Sequence, residues 1–515
     1  MAGREVFPWH REPLFWLWCV SLALGFWFNL WAVPLFDVDE GAFAEASREM
    51  LVGGDWVTTY LNGELRFDKP ILVYWLQAAS MVLLGVNELA VRLPSALSAT
   101  AWSLLVVWFL ARYRDRRTAL SAGILLSSAL SLSVIGRAAT ADALLNLWLW
   151  AALAMIYAYH REGRRVFLLA AHGAIGLGLL AKGPVAVLVP LAVSGLFYGS
   201  LGQWRLWLRA VFDPRGLALL LAIALPWYVA EYLAQGRAFI DGFFLKHNVG
   251  RFSGPMEGHA GSLFYYLPVV LLGVLPFTTA LLALLPRVRE MWADSLQRYL
   301  LLLFLFVLVF FSLSGTKLPH YVNYGLTGVV ALMAIHLPRL RSITWALLPA
   351  ALWLGGLAAL PWWLPYLEVK EPFYAAALAQ YEHYFDVNYL LACLAALGVL
   401  AVLAALRRWE VSLRLLLAGP LCALVVSGYF LPAVAGMIQG PIKEAGLLAR
   451  AQGWERVVQY KVHLPSFSFY RQAITPRRHP APGEVLFTDV GHAADWPEAE
   501  VLYRRGGVVL LRRPR

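Results

Sequence analysis

Apolar runs of 16 to 23 residues recur along the first 430 positions, separated by short polar stretches. Runs of that length cross a hydrocarbon core of roughly 30 Å as helices, since a helix satisfies its own backbone there. The pattern predicts thirteen spanning helices, at 14–36, 91–111, 118–135, 141–159, 166–181, 183–200, 216–233, 263–285, 299–314, 320–336, 342–364, 388–406 and 411–430. A fourteenth run, 70–86 (PILVYWLQAASMVLLGV), sets Tyr74, Trp75 and Gln77 among apolar residues, as expected of a helix lying in the interface plane.

Charge decides whether 70–86 lies flat or crosses. With it flat, the stretches 1–13, 112–117, 160–165, 201–216, 286–298, 337–341 and 407–414 share one side and hold twenty arginines and no lysine. Basic residues collect on the cytoplasmic side, so that side is the cytoplasm and 70–86 does not cross. All seven lysines, Lys69, Lys182, Lys246, Lys317, Lys370, Lys443 and Lys461, then lie outside. Two outer loops are long, 36–90 and 234–262, and long structured loops usually carry function.

After 431 the pattern changes. KEAGLLARAQ reads as a helix, and ERVVQYKVHL, SFSFYRQA, GEVLFTDV and EVLYRRGGVVLLRR read as strands, the last with a Gly-Gly turn. The chain divides into a transmembrane catalytic domain, 1–431, and a small soluble α/β domain, 432–515, which thirteen spans place outside. No internal repeat is visible, unlike transporters built from inverted halves.

Composition agrees: 60% of the 515 residues are hydrophobic and 15% charged, against about 45–50% and 25% in soluble domains. The net charge of +11 does not point to nucleic acid, because the bases sit in short loops between apolar runs. Cys19, Cys393 and Cys422 lie in apolar runs and offer neither a disulfide framework nor metal-ligand spacing.

Candidate chemistry falls on the outer side. FDVDEGAFAEASREML (36–51) holds five carboxylates against Arg48. Asp37, Asp39 and Glu40 stand where the first span meets the outer surface and are candidates for chemistry; Asp37 also suits a cap for the helix that follows, and Glu45 and Glu49 its wet face. GELRFDKPILVYW sets Asp68 and Lys69 at the mouth of a helix opened by Pro70. GRAATADALLNLW puts Arg137 and Asp142 at the start of a span, where an acid is a site by default. LLAKGP places Lys182 in a very short hairpin, and SGTKLPHYVNYG gathers Lys317, His320, Tyr321 and Tyr324. LKHNVGRFSGPMEGHAG carries His247, Asn248, Arg251, Glu257 and His259. Lysine is a compact charge suited to phosphate. Carboxylates facing such bases suit a reaction in which a lipid-linked phosphate leaves, and no glycine-rich nucleotide loop is present.

Taken in order, DVDE, FDKPILVYWL, NELAVRLPSAL, GRAATADALL, LAKGP and SGTKLPHY resemble the motifs of bacterial lipid-to-lipid glycosyltransferases of the type C fold, over roughly the first 330 residues. The lipid A aminoarabinose transferases are the most similar, and the protein O-mannosyltransferases are more distant. LPSFSFYRQ in the tail is similar to the outer domain of the aminoarabinose enzymes. The resemblance implies an all-α polytopic glycosyltransferase C fold of about thirteen spans with interfacial helices and a small α/β periplasmic domain. It implies the bacterial inner membrane, with the active site facing the periplasm. It further implies transfer of a sugar, 4-amino-4-deoxy-L-arabinose, from undecaprenyl phosphate to lipid A by an inverting single displacement. The alternative is a protein or polysaccharide glycosyltransferase using a polyprenyl-phosphate sugar.

Carried onto this chain, the resemblance makes Asp39, Glu40 and Asp142 catalytic. It puts Lys69, Lys182, Arg137, Lys317, His320 and Tyr321 at the donor phosphate, and Tyr74, Tyr324, Asn248 and Arg251 in the substrate cavity. A divalent metal is associated with the outer loops of some members, which makes Asp68 and His247 candidate ligands. One departure is that the usual DKPP reads DKPI here, with Ile71.

Overall fold

The computed structural model describes residues 9–250, 254 and 261–514. Among these, nine helices are long and apolar enough to cross a membrane, and a tenth span is a pair, Arg116–Ser128 and Leu130–Arg137, bent by 69°. Pro13–Trp27, Leu72–Leu84 and Val185–Ser200 are shorter apolar helices. Many starts are set by one polar residue ahead of the apolar run. Asn87 accepts a hydrogen bond from the Ala90 amide, and Asp115, Asp213, Asp294, Ser342 and Asp386 cap their own helices in the same way.

Three expected spans differ from their reading as single helices. The first is helical only to Trp27, after which Phe28 turns extended and Asn29 adopts φ +67°. The expected helix 118–135 breaks at Ala129, and the Leu130 amide bonds the Leu275 carbonyl at 2.9 Å. The expected helix 263–285 becomes Tyr266–Gly273 and Thr278–Leu282, with Pro276 removing a donor between them. Hydropathy reports how greasy a run is and not whether its backbone bonds stay within it. These two breaks bond to each other and open a cavity described below.

Leu72–Leu84 has 13 residues and is about 20 Å long, too short to cross. It packs on Asp39–Gly53 and on Glu88–Tyr113. Gln77 locks the three together: Ser47 donates to its Oε1 at 2.7 Å, and its Nε2 donates to the Val91 carbonyl at 3.0 Å.

The arginine-rich loops meet at one end of the bundle. Arg112 pairs with Glu162 at 2.6 Å, Arg114 with Asp294 at 2.7 Å, Arg165 with Asp213 at 2.6 Å, and Arg117 with Glu410. The candidate site gathers at the opposite end, because Glu88–Tyr113 and Asp142–Glu162 run between the two, about 39 and 32 Å.

Beyond Leu431–Ile438 and Gly440–Ala451, four strands form a sheet in the order Val457–Gln459, Val485–Asp489, Val508–Arg512, Glu500–Arg505. The first pair is parallel and the others antiparallel. The hairpin turns at Gly506, φ +51°, and Gly507. SFSFYRQA was expected as a strand and is instead the helix Ser466–Arg471. Its alternation does not mark one wet face, for every side chain from Ser466 to Arg471 is buried. The polar members are buried with partners: Ser468 Oγ donates to Asn62 Oδ1 at 2.6 Å, and Arg471 donates to the Trp454 and Glu455 carbonyls.

This short helix docks on Asp39–Gly53 and corrects three expectations there. Glu45 and Glu49 are not a wet face: Glu45 lies buried against Arg48 at 2.7 Å, and Glu49 accepts the Asn62 and Gly63 amides at 2.5 and 3.0 Å. Asp37 does not cap the helix, whose cap position is Val38 without a side-chain bond. Asp37 accepts instead from the Ser466 amide at 3.0 Å and from the Ser466 hydroxyl.

Gly41 is what lets the two segments touch. A Cβ there would lie 2.6 Å from the Ser466 backbone nitrogen and 2.0 Å from Asp37 Oδ1. Gly41→Val is expected to lift Ser466–Arg471 off the acidic helix. Limited proteolysis should then cut the C-terminal segment readily, and unchanged protection would show that the contact does not hold it.

Candidate active site

Two cavities share a wall. The larger, about 620 Å³, is bounded by Asp37, Asp39, Glu40, Arg92 and Arg137, by the broken helices around Ser131 and Gly273, and by Asp142 and His320. The second, about 410 Å³, is bounded by Asp68, Lys69, Lys182, His247, Tyr321 and Tyr324 with apolar residues such as Leu188, Phe310 and Phe311. The partition is one buried cluster. Lys182 donates to Asp142 Oδ1 at 2.5 Å, the Tyr324 hydroxyl donates to the same oxygen at 3.0 Å, and His320 Nε2 stands 4.0 Å away. Asp37, Asp39 and Glu40 therefore lie on one side of the partition, and Lys69 and Lys182 with Asp68 on the other.

The carboxylates differ in state. Asp39 is exposed into the first cavity and has no hydrogen-bond partner among the described residues. It lies close enough to interact with Arg66 and His320. Glu40 is buried and fully used: Arg92 binds both oxygens at 2.8 and 2.6 Å, and the Phe36 and Ala139 amides donate at 3.0 and 2.7 Å. Burial pushes its carboxyl up, but the Arg92 charge and these bonds outweigh burial and hold it low. Glu40 is thus corrected from a catalytic acid to a structural one, because no lone pair is left to face a substrate.

Burial pushes Asp37 up to about 7 against the opposing bonds from Ser466. A carboxyl raised on folding contributes stability that is present below its unfolded pKa of 3.8 and lost as pH rises toward 7. Replacing Asp37 with Asn should flatten the fall in Tm between pH 4 and 7 relative to the parent. Parallel Tm curves for the two proteins would rule out this linkage.

The remaining sequence-predicted residues divide. Lys69, Lys182, Tyr321 and Tyr324 come together in the second cavity, with the Lys182 ammonium 5.4 Å from the Tyr324 ring centre. Arg137 and His320 face the first, and Arg137 also donates to the Phe28 carbonyl. Lys317 lies in neither: it is buried and staples its own hairpin through the Ser314 carbonyl at 2.7 Å. Tyr74 is also outside both, buried and stacked on Phe43, its oxygen accepting from Arg66 at 3.3 Å. The Asn248 side chain and Arg251, like Glu257 and His259, lie outside the described residues.

Asp68 and His247 hydrogen-bond each other at 2.7 Å, and Arg66 pairs with Asp68 at 3.0 Å. Burial raises the Asp68 carboxyl, and the His247 bond with the Arg66 and Lys69 charges brings it well below the usual range. Among the described residues no third His, Cys, Asp or Glu joins them. Among the described residues, then, Asp68 and His247 are held by each other and by Arg66, and two such groups are fewer than the ligands a divalent cation takes.

Sequence reasoning missed Arg92 and Arg66, which neutralise Glu40 and Asp68. The signal for Arg92 was a charge inside an apolar run in NELAVRLPSAL.

The chain has the fold of ArnT from Cupriavidus metallidurans. The crystal structure of that protein bound to undecaprenyl phosphate aligns at TM-score 0.82 and 22% identity, over 97% of this chain and 98% of that one. Archaeal oligosaccharyltransferase AglB from Archaeoglobus fulgidus aligns at 0.52 and 14% identity, over 94% and 70%. The fold class is thus the one shared by these polytopic membrane proteins. Within it, the chain belongs to the undecaprenyl phosphate-α-4-amino-4-deoxy-L-arabinose arabinosyl transferase family. It is 34% identical over 414 residues to the Pseudomonas paraeruginosa member, covering 77% of this chain and 71% of that protein. The Aeromonas salmonicida member is 36% identical over 299 residues, 56% of this chain and 53% of that protein. The chain spans little more than half the length of the Aeromonas relatives, 53% and 58%. A family model for dolichyl-phosphate-mannose-protein mannosyltransferase matches residues 68–229, the stretch holding Lys69, Arg92, Asp142 and Lys182.

Proposed function

We propose that this chain transfers 4-amino-4-deoxy-L-arabinose from undecaprenyl phosphate to lipid A at the outer face of the bacterial inner membrane. The observation that carries this reading is the Asp39 cavity meeting the Lys69 and Lys182 cavity across one buried cluster. The donor phosphate sits at the two lysines, with its polyprenyl chain along Leu188, Phe310 and Phe311. An acceptor oxygen attacks the anomeric carbon as its bond to the phosphate oxygen breaks, and the phosphate leaves with the electron pair. One displacement inverts the anomeric centre. Lys69 and Lys182 stabilise the charge that develops on the leaving group. Asp39 takes the proton of an acceptor hydroxyl. With a phosphate acceptor, which arrives ionised, it holds the sugar ammonium by charge. The match to the mannosyltransferase model favours one second reading, a polyprenyl-phosphate-sugar-dependent protein glycosyltransferase.

The test is mass spectrometry of lipid A from a transferase-deficient Gram-negative strain with and without this gene. A pentosamine mass increment on lipid A supports the leading reading. Unmodified lipid A with newly glycosylated protein supports the second.

A further inference from the structure

A third cavity, about 350 Å³, lies beside the donor cavity and has no part in the chemistry above. Three separate stretches wall it: the Tyr60–Leu65 hairpin and its sequel, the helical segment Ile240–Gly250, and His463 and Arg477 of the C-terminal region. Its lining includes Arg66, Lys246, His247, His463 and Arg477 against Glu64 and Asp68. Asp68 is already held by Arg66 and His247. Lys246 and Arg477 have no ion pair among the described residues, and against the equally unpaired Glu64 they leave the lining net positive.

One buried donor indicates the sign of the missing ligand. Asn62 is only 6% exposed and lines this cavity. Its Oδ1 accepts from the Ser468 hydroxyl at 2.6 Å and the Thr475 amide at 3.3 Å, which fixes the amide orientation. Its Nδ2, the donor end, is buried with no partner among the described residues. An unsatisfied buried donor in a lining of net positive charge suits an acceptor carrying negative charge. The position of Arg477 is set by backbone bonding beside Gln459, whose amide donates to the Pro476 carbonyl at 2.9 Å.

We infer that this cavity binds a phosphate-bearing head group of the acceptor through Asn62, Lys246 and Arg477. The inference rests on reading the chain as a lipid-linked-sugar transferase. Asp68 and His247 line both this cavity and the donor cavity, so the two ligands sit as neighbours. The polar lining suits a sugar phosphate and not a polyprenyl chain.

The test uses the full-length protein in nanodiscs with two probes, glucosamine 1-phosphate and undecaprenyl phosphate. Lys246 and Arg477 are exposed, so Lys246→Gln with Arg477→Gln leaves the fold intact. The variant is expected to bind glucosamine 1-phosphate roughly tenfold or more weakly, as for loss of charge-assisted bonds, with undecaprenyl phosphate affinity unchanged. Arg477→Lys with Lys246 retained should recover part of the loss. Equal binding of glucosamine 1-phosphate by parent and variant overturns the inference. So does a loss confined to undecaprenyl phosphate, which would make the cations part of the donor site. A parent protein that binds neither probe refutes the transferase reading itself.

Discussion

Asparagine at position 39 is expected to lower transfer by about 10²–10⁴-fold while leaving the protein folded. Asp39 is exposed into the first cavity and has no partner among the described residues, so the change removes charge and basicity and little else. Its neighbour should behave in the opposite way. Glu40→Gln breaks a buried ion pair and leaves the Arg92 charge with only backbone carbonyls to neutralise it, a loss of about 3–5 kcal/mol of stability. Transfer per folded molecule and Tm, measured on both variants, separate a chemical carboxylate from a structural one. Near-parental turnover in D39N would remove Asp39 from the mechanism. An unchanged Tm in E40Q would remove Glu40 from the scaffold.

The second large effect lies at the partition. Lys182→Met leaves the buried Asp142 carboxylate with no cation bonded to it, only the Tyr324 and Thr140 hydroxyls and a more distant His320. Removing one partner of a buried pair costs about 3–5 kcal/mol, whereas replacing both is often close to neutral. The double variant Lys182→Met with Asp142→Asn should therefore regain most of the stability and none of the transfer. A double-mutant cycle on Tm measures this coupling. Additive losses of stability would show that the two groups do not act as a pair. Recovered transfer in the double variant would show that neither the lysine nor the carboxylate takes part in the chemistry.

Much of the scaffold was legible because the bilayer imposes a simple rule. Runs long enough to cross show up as hydropathy, and the asymmetry of twenty arginines marks one end. The ion pairs Arg112–Glu162 and Arg165–Asp213 bring those loops together. Residues that meet in the cavities were legible as types at boundaries: Asp39, Lys69, Asp142 and Lys182 each stand where an apolar run begins or ends. Which of two adjacent acids stays free was not. Asp39 and Glu40 differ only in which side of a helix start they occupy, and Arg92, 52 residues away, takes the second.

The tail shows the same limit. SFSFYR alternates like a strand, yet it folds as a helix because both its polar and its apolar side chains are buried, the serines against Asp37 and Asn62. Glu45 and Glu49 read as solvated for the same reason, since nothing local announces that a segment more than 400 residues later will cover them. Charge and apolar length along the chain determined the class of protein, a polytopic helical membrane protein, and the end of the bundle its arginines mark, since these follow from local solvation in lipid and water. Only the tertiary structure decided which acids are spent on arginines and serines and which one stays free. Hydrogen-bond partners distant in sequence make that choice.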